Sequence, residues 1–218
     1  TTPCLWLATA LEIRKLQRLT RLNKLDISSL KKEMVQSNLP LSSSGIGTAE
    51  KSIRKEALEK VLRKLLHFLS PEAFQVSIKS INEKVLTVMD ASGSGRVDLG
   101  MVFAMLAPLC GGTLDKRKRA TFDSLVWRSS KHRGGEISRK DAHYYIRTLK
   151  LAYLPSAVHS GLMQESLEEG EDPEASISYP EFIELFDELE SGFGVLSIVA
   201  RLEIEDRVRR GRLSCSVC

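Results

Sequence analysis

Apolar residues recur along this chain at three- and four-residue intervals, and polar stretches cut the pattern into segments of helical length. Leu11, Leu16, Leu19 and Leu22 predict an amphipathic helix over 5–22, with Arg14, Lys15, Arg18 and Arg21 on the opposite face. Asp26 is placed to cap a second helix, Ile27 to Val35. Ser37 to Gly47 reads as a loop by composition. Leu58, Val61, Leu62, Leu65, Leu66 and Leu69 then mark a strongly amphipathic helix. Ser70-Pro71 stops it and opens another, with Ser as cap and Pro at the first helical position, running to Met89. Leu99 to Leu109 is apolar on most sides and ends at Gly111-Gly112. Thr113 caps Leu114 to Trp127; Ser138 with Asp141 opens a helix to Leu149; Pro155-Ser156 starts another. Ser178 with Glu181 forms a capping box for Tyr179 to Leu189, Ser191 to Gly194 breaks the pattern, and Val195 to Val208 is a last amphipathic helix.

These segments repeat. Each of four loops ends in a lone β-branched residue, Ile53, Val97, Ile137 or Ile177, and the last three are spaced forty residues apart. The pattern resembles that of paired EF-hand loops, and the resemblance implies a short antiparallel contact between the equivalent residues of neighbouring loops. Four helix–loop–helix units then make two lobes. The expected fold is all-α, with short β contacts between paired loops. It divides into an N-terminal helix (1–25), a first lobe (26–112), a second lobe (113–194), and a C-terminal helix with a basic tail (195–218).

The loop from Asp90 to Met101 has the outline of a twelve-position calcium loop. Asp90, Ser92 and Ser94 stand at its first, third and fifth positions, Gly95 at the sharp turn, the Arg96 carbonyl at the seventh and Asp98 at the ninth. The twelfth position needs a bidentate acid and holds Met101. A second candidate set is Asp172, Glu174 and Glu181, but Gly170 stands at its first position and Ala175 at the turn. The loop before Ile137 has no carboxylate until Glu136, and Lys131 and Arg133 repel a cation. The loop before Ile53 offers almost no ligand. A scaffold that has lost calcium is therefore preferred to a sensor with one weak site.

Composition narrows the class. Of 218 residues, 42% are apolar and 28% charged, enough for one large or two small cores with few aromatics. The net charge of +4 is unevenly placed: residues 116–150 carry eleven Lys or Arg against three acids, and 165–190 carry eleven acids and no base. Adjacent basic and acidic segments point to solvated faces and steering rather than nucleic-acid binding. Cys110 lies in an apolar helix and reads as a buried thiol. No disulfide framework is visible, which favours a reducing, cytoplasmic setting. The chain begins at Thr1 without Met, as a fragment or processed chain would.

The helix–loop–helix repeat resembles the EF-hand superfamily. Thr9 to Gln17, Asp90 to Val97 and Arg201 to Val208 are similar to the EF-hand region of dystrophin, dystrobrevin and dystrotelin, where a Cys-x-x-Cys like Cys215-Ser216-Val217-Cys218 opens a zinc finger. The flow from Val97 to Phe122 is also similar to neuronal-calcium-sensor and calaxin-like proteins. The first resemblance implies an adaptor that works without calcium and binds a helix or peptide of a cytoskeletal or membrane-receptor partner, with peripheral membrane association.

Cys215 and Cys218 have three readings: half of a zinc site that needs the chain to continue, a lipid anchor behind Arg207, Arg209, Arg210 and Arg212, or idle thiols. No cofactor is firmly implied. His67, His132, His143 and His159 are scattered, and no phosphate loop or nucleophile elbow is present, so no enzyme is expected. Met101, Met105, Phe74, Phe103, Phe122, Phe182 and Phe186 could line an opened groove or form a closed core, and the closed core with a constitutive interface is preferred.

Overall fold

The four β-branched residues meet in pairs. In the computed structural model, β1 (Ser52–Arg54) runs antiparallel to β2 (Arg96–Asp98) with Ile53 opposite Val97. Likewise β3 (Ile137–Ser138) runs antiparallel to β4 (Ser176–Ile177) with Ile137 opposite Ile177. The structure describes residues 2–29, 52–90, 92–128, 135–154 and 172–190, with single positions at 32, 195, 198, 201, 202, 204, 205 and 208. The expected helix from Pro155, the loop from Ser37 to Gly47 and the Cys215/Cys218 pair lie outside these residues.

Strands of two or three residues cannot stand alone. These hold because all four central side chains are buried and reach from the ribbon into the helices. The described residues are mostly helical around these two ribbons. The helices are α1 (Thr2–Thr20), α2 (Lys55–Leu65), α3 (Pro71–Ile81), α4 (Leu99–Leu106), α5 (Leu114–Arg128), α6 (Arg139–Tyr153) and α7 (Tyr179–Glu190). After β2 and after β3 a side-chain cap begins the next helix. Asp98 accepts the Met101 N–H at 2.7 Å, and Ser138 accepts the Asp141 N–H at 3.1 Å. At the start of α3, Ser70 accepts the Ala73 N–H. The single helix expected from Pro71 to Met89 is interrupted by a π-helical turn at Asn82–Leu86, whose width is supported by Thr87 donating to the Asn82 carbonyl at 2.8 Å.

The short α4 is buried at every residue and is the centre of the core. Gly100 lets α5 approach it: a Cβ there would lie 2.7 Å from the Ser124 carbonyl oxygen and 2.9 Å from the Arg128 Cβ. Pro108 follows α4 and has no N–H, so the Ala104 carbonyl loses its intrahelical donor. Two tyrosines of α6 serve this end. Tyr145 donates to the Ala104 carbonyl at 3.5 Å and Tyr153 to the Met105 carbonyl at 2.7 Å. Burial raises the Tyr153 phenol well above its ordinary value, so it stays a donor.

The face of α1 differs from the leucine stripe expected of it. Thr9, Ala10, Ile13, Leu16 and Thr20 are buried, against α3 and the turn Ala107–Leu109, while Leu11 points to solvent. Leu16 and Leu22 of the expected stripe are buried and Leu19 is half-buried; only Leu11 departs, its share of the core face being taken by Ala10, Ile13 and Thr20. Further along, Arg117 is wholly buried, with Nε donating to the Cys110 carbonyl at 3.0 Å.

Cys110 is buried as expected, and desolvation pushes its thiol up to about 12, against the opposing Arg117 charge. Thiolate is the reactive form. Alkylation of the native protein at pH 8, read by peptide mass mapping, is therefore expected to leave Cys110 unmodified until denaturant is added; rapid native labelling would contradict the burial.

Candidate functional site

The loop at Asp90 is built around one carboxylate. Gly95 turns the backbone at φ 71° and points its N–H at Asp90 Oδ2, 2.9 Å away. The Ser94 N–H and Ser94 hydroxyl donate to Oδ1 at 2.8 and 2.9 Å, and the Ser92 hydroxyl at 3.4 Å. A cation completes the arrangement, and it comes from the chain itself: Lys55 Nζ lies 2.8 Å from Asp90 Oδ2, with the Asp90 side chain only 1% exposed. Lys55 opens α2 directly after β1, so the β1–β2 ribbon delivers the ammonium of one unit into the loop of the next.

The other loop ligands expected from the spacing are used differently. Arg96 turns its guanidinium to Ser52, donating to that hydroxyl at 3.0 and 3.2 Å, and its carbonyl accepts from Ser94 at 3.4 Å. Asp98 caps α4 with one oxygen and faces Arg128 Nε, 3.4 Å away, with the other. Arg128 also donates through Nη1 to Asp141, in the first turn of α6 and bonded to its cap Ser138, and its guanidinium lies over the Tyr144 ring at 5.6 Å. One arginine thus spans a carboxylate of β2 and a carboxylate of the helix that follows β3.

The second candidate set does not converge. Asp172 accepts its own turn's Glu174 N–H at 3.0 Å, Glu174 lies 3.8 Å from Lys140, and Glu181 reaches back to the Ser178 N–H at 2.7 Å and hydroxyl at 2.6 Å. Asp172 serves its own turn, Glu181 its own helix end, and Glu174 faces a lysine of α6. Among the described residues, no group of three or more His, Cys, Asp or Glu is placed to hold a metal ion. Phe74, Phe103, Met101, Met105, Phe122 and Phe182 are buried, with the Phe122 ring edge-on to Tyr179 at 5.3 Å and tilted against Phe182 at 5.4 Å, so they form core rather than an open groove. The side chain of Phe186 lies outside the described residues.

Lys55 and Arg128 went unnoticed in the sequence, where each is one cation among many. The usable signal was position: one stands two residues after a repeat β-branched residue, the other at the end of a helix.

The Lys55 ammonium, beside the hydrogen bonds from Ser94 and Gly95, holds the Asp90 carboxyl far below the usual carboxylate range despite its burial. A depressed carboxylate contributes stability above its unfolded value, near 3.8 for Asp, and loses it as pH falls toward the folded value. Replacing Lys55 with Met raises the folded value and removes that contribution. The stability gap between wild type and Lys55→Met, from urea midpoints, is expected to be widest near neutral pH and to narrow below about pH 4. A gap independent of pH would show that Lys55 acts by packing alone.

No family model matches the chain. Two proteins of Arabidopsis thaliana, each named as an uncharacterized TPR repeat-containing protein, are 47% and 48% identical to it over 212 residues. Those residues are 97% of this chain and 26% of each relative, so the chain spans about a quarter of their length. The relatives carry the name of a helical repeat family, which overturns the resemblance to EF-hand proteins of the dystrophin or calcium-sensor branches and the calcium-binding character that came with it. The resemblance misled because its motifs were short: a glycine turn, a β-branched residue and a capped helix are general solutions for joining two helix pairs. The forty-residue spacing in this chain also exceeds the thirty-four residues of a tetratricopeptide repeat, so the repeat in the relatives' name is said of those whole proteins.

Proposed function

We propose that this chain is a non-enzymatic protein-interaction module of a larger scaffold, held in one closed form by its own cations. The observation that carries the reading is the match, at nearly half identity over almost the whole chain, to a quarter of proteins named for TPR repeats. Such repeats stack into extended surfaces that bind other proteins. The Lys55–Asp90 and Arg128–Asp98–Asp141 contacts support the second half of the proposal. They neutralise Asp90, Asp98 and Asp141 internally, and the described side chains that would line an opened groove are packed in the core. Its partner is a protein helix or peptide, and its compartment is reducing. No helix among the described residues is long and apolar enough to cross a membrane.

The test is capture from an Arabidopsis extract on the immobilised full chain, in chelator and in millimolar calcium. The same proteins are expected under both conditions and absent from a denatured-chain control. Capture confined to calcium would overturn the closed, calcium-independent form, and no capture above control would overturn the interaction module.

A further inference from the structure

We infer that the outer face of α1 is a docking surface for an acidic amphipathic helix of a partner protein; this rests on the interaction-module reading and names the surface and the chemistry of its partner. At 100° per residue, Leu7, Ala8, Leu11, Lys15 and Arg18 fall within a sector of about 100°. All five are exposed. Leu7 and Leu11 are 52% and 57% exposed, one turn apart. The opposite side, Ala10, Ile13, Leu16 and Thr20, is committed to the core. A leucine pair at i and i+4 forms the kind of ridge that seats in the groove of another helix.

Charge selects the partner. Beyond the leucines the same stripe carries Lys15 and Arg18, followed by exposed Arg21 where α1 ends. No acid lies in that sector. Glu12 stands beside it, and its carboxylate is held by Lys84 at 2.9 Å. The surface is thus apolar at Leu7 and Leu11 and positive at Lys15 and Arg18, and it complements a helix with an apolar ridge and a run of Glu or Asp along the same face. A lipid surface fits less well. A helix that lies in a bilayer interface embeds a broad apolar face, and α1 has spent that face on the protein, leaving two leucines.

The probe is a synthetic, fluorescently labelled, helix-stapled peptide of about 20 residues with leucines at i and i+4 and four glutamates along the same face. It is titrated against the full chain, with a control peptide carrying lysines in place of the glutamates. Saturable binding is expected for the acidic peptide alone, weakening by about tenfold or more in Leu7→Glu/Leu11→Glu and in Lys15→Glu/Arg18→Glu, and falling with added salt. Because these side chains are exposed, circular dichroism melts of both variants should match the wild type. Absence of saturable binding, or equal binding by the variants, overturns the proposal. So does sedimentation with phosphatidylserine vesicles that the leucine variants abolish, which would assign the face to lipid. If capture from extract persists undiminished in Leu7→Glu/Leu11→Glu, this surface is wrong while the interaction module stands; if wild type captures nothing, the module itself falls.

Discussion

Arg128→Ala is expected to destabilise the fold by about 2–3 kcal/mol, because it removes the one cation shared by Asp98 and Asp141. The magnitude lies between two limits. An exposed ion pair contributes about 0–1 kcal/mol, and breaking a fully buried one costs about 3–5 kcal/mol. The three side chains are 18%, 14% and 25% exposed, nearer the buried limit. Both acids keep their capping contacts, which limits the loss. Arg128→Lys should recover little, since an ammonium cannot present two donors in the plane of the guanidinium fork. Urea unfolding of the two variants decides the matter: a change under about 0.5 kcal/mol for Arg128→Ala would make the bridge a surface ornament.

Gly100→Val is the second large effect, about 3 kcal/mol or more. Its new Cβ would meet the Ser124 carbonyl oxygen at 2.7 Å, a backbone atom that cannot rotate away, so α4 and α5 must separate. The added helix propensity of a side chain over glycine, about 0.5 kcal/mol, does not offset that. Separation also draws Arg128 from its two acids, since the same Cβ lies 2.9 Å from the Arg128 Cβ. The double variant Gly100→Val/Arg128→Ala should therefore lose less than the sum of the singles. Additive losses would mean that the helix contact and the ion bridge are independent.

What could be read from the chain and what could not divide along a physical line. Ile53 pairs with Val97 and Ile137 with Ile177, and the repeat of these four residues was legible from local pattern plus spacing. So were the Ser70 and Ser138 caps, which depend on neighbours three residues away. The outward turn of Leu11 was not, because an amphipathic count weighs leucine above the Ala10 and Thr20 that pack closely. Nor was the burial of Arg117, since a guanidinium enters a core only when a distant carbonyl, here Cys110 on the preceding turn, is left for it. Lys55 and Arg128 gain their roles from residues 35 and 13 positions away, and the partner of each is chosen by folding rather than by spacing. At Asp90 the acid is visible in the sequence, but the internal ammonium opposite it is not.

The tyrosines at the end of α4 limit how the molecule can be divided. Ala104 and Met105 belong to the segment bounded by the first ribbon, while the phenols that serve their carbonyls arrive from α6, forty-one and forty-eight residues later. A fragment severed after Gly112 would keep its own ribbon and caps, yet two acceptors would lie at a raw apolar edge with no donor within reach. Such a half should emerge from the ribosome as a client for chaperones, waiting about thirty to forty further residues before it can close, so the two ribbon units are best regarded as one cooperative folding unit.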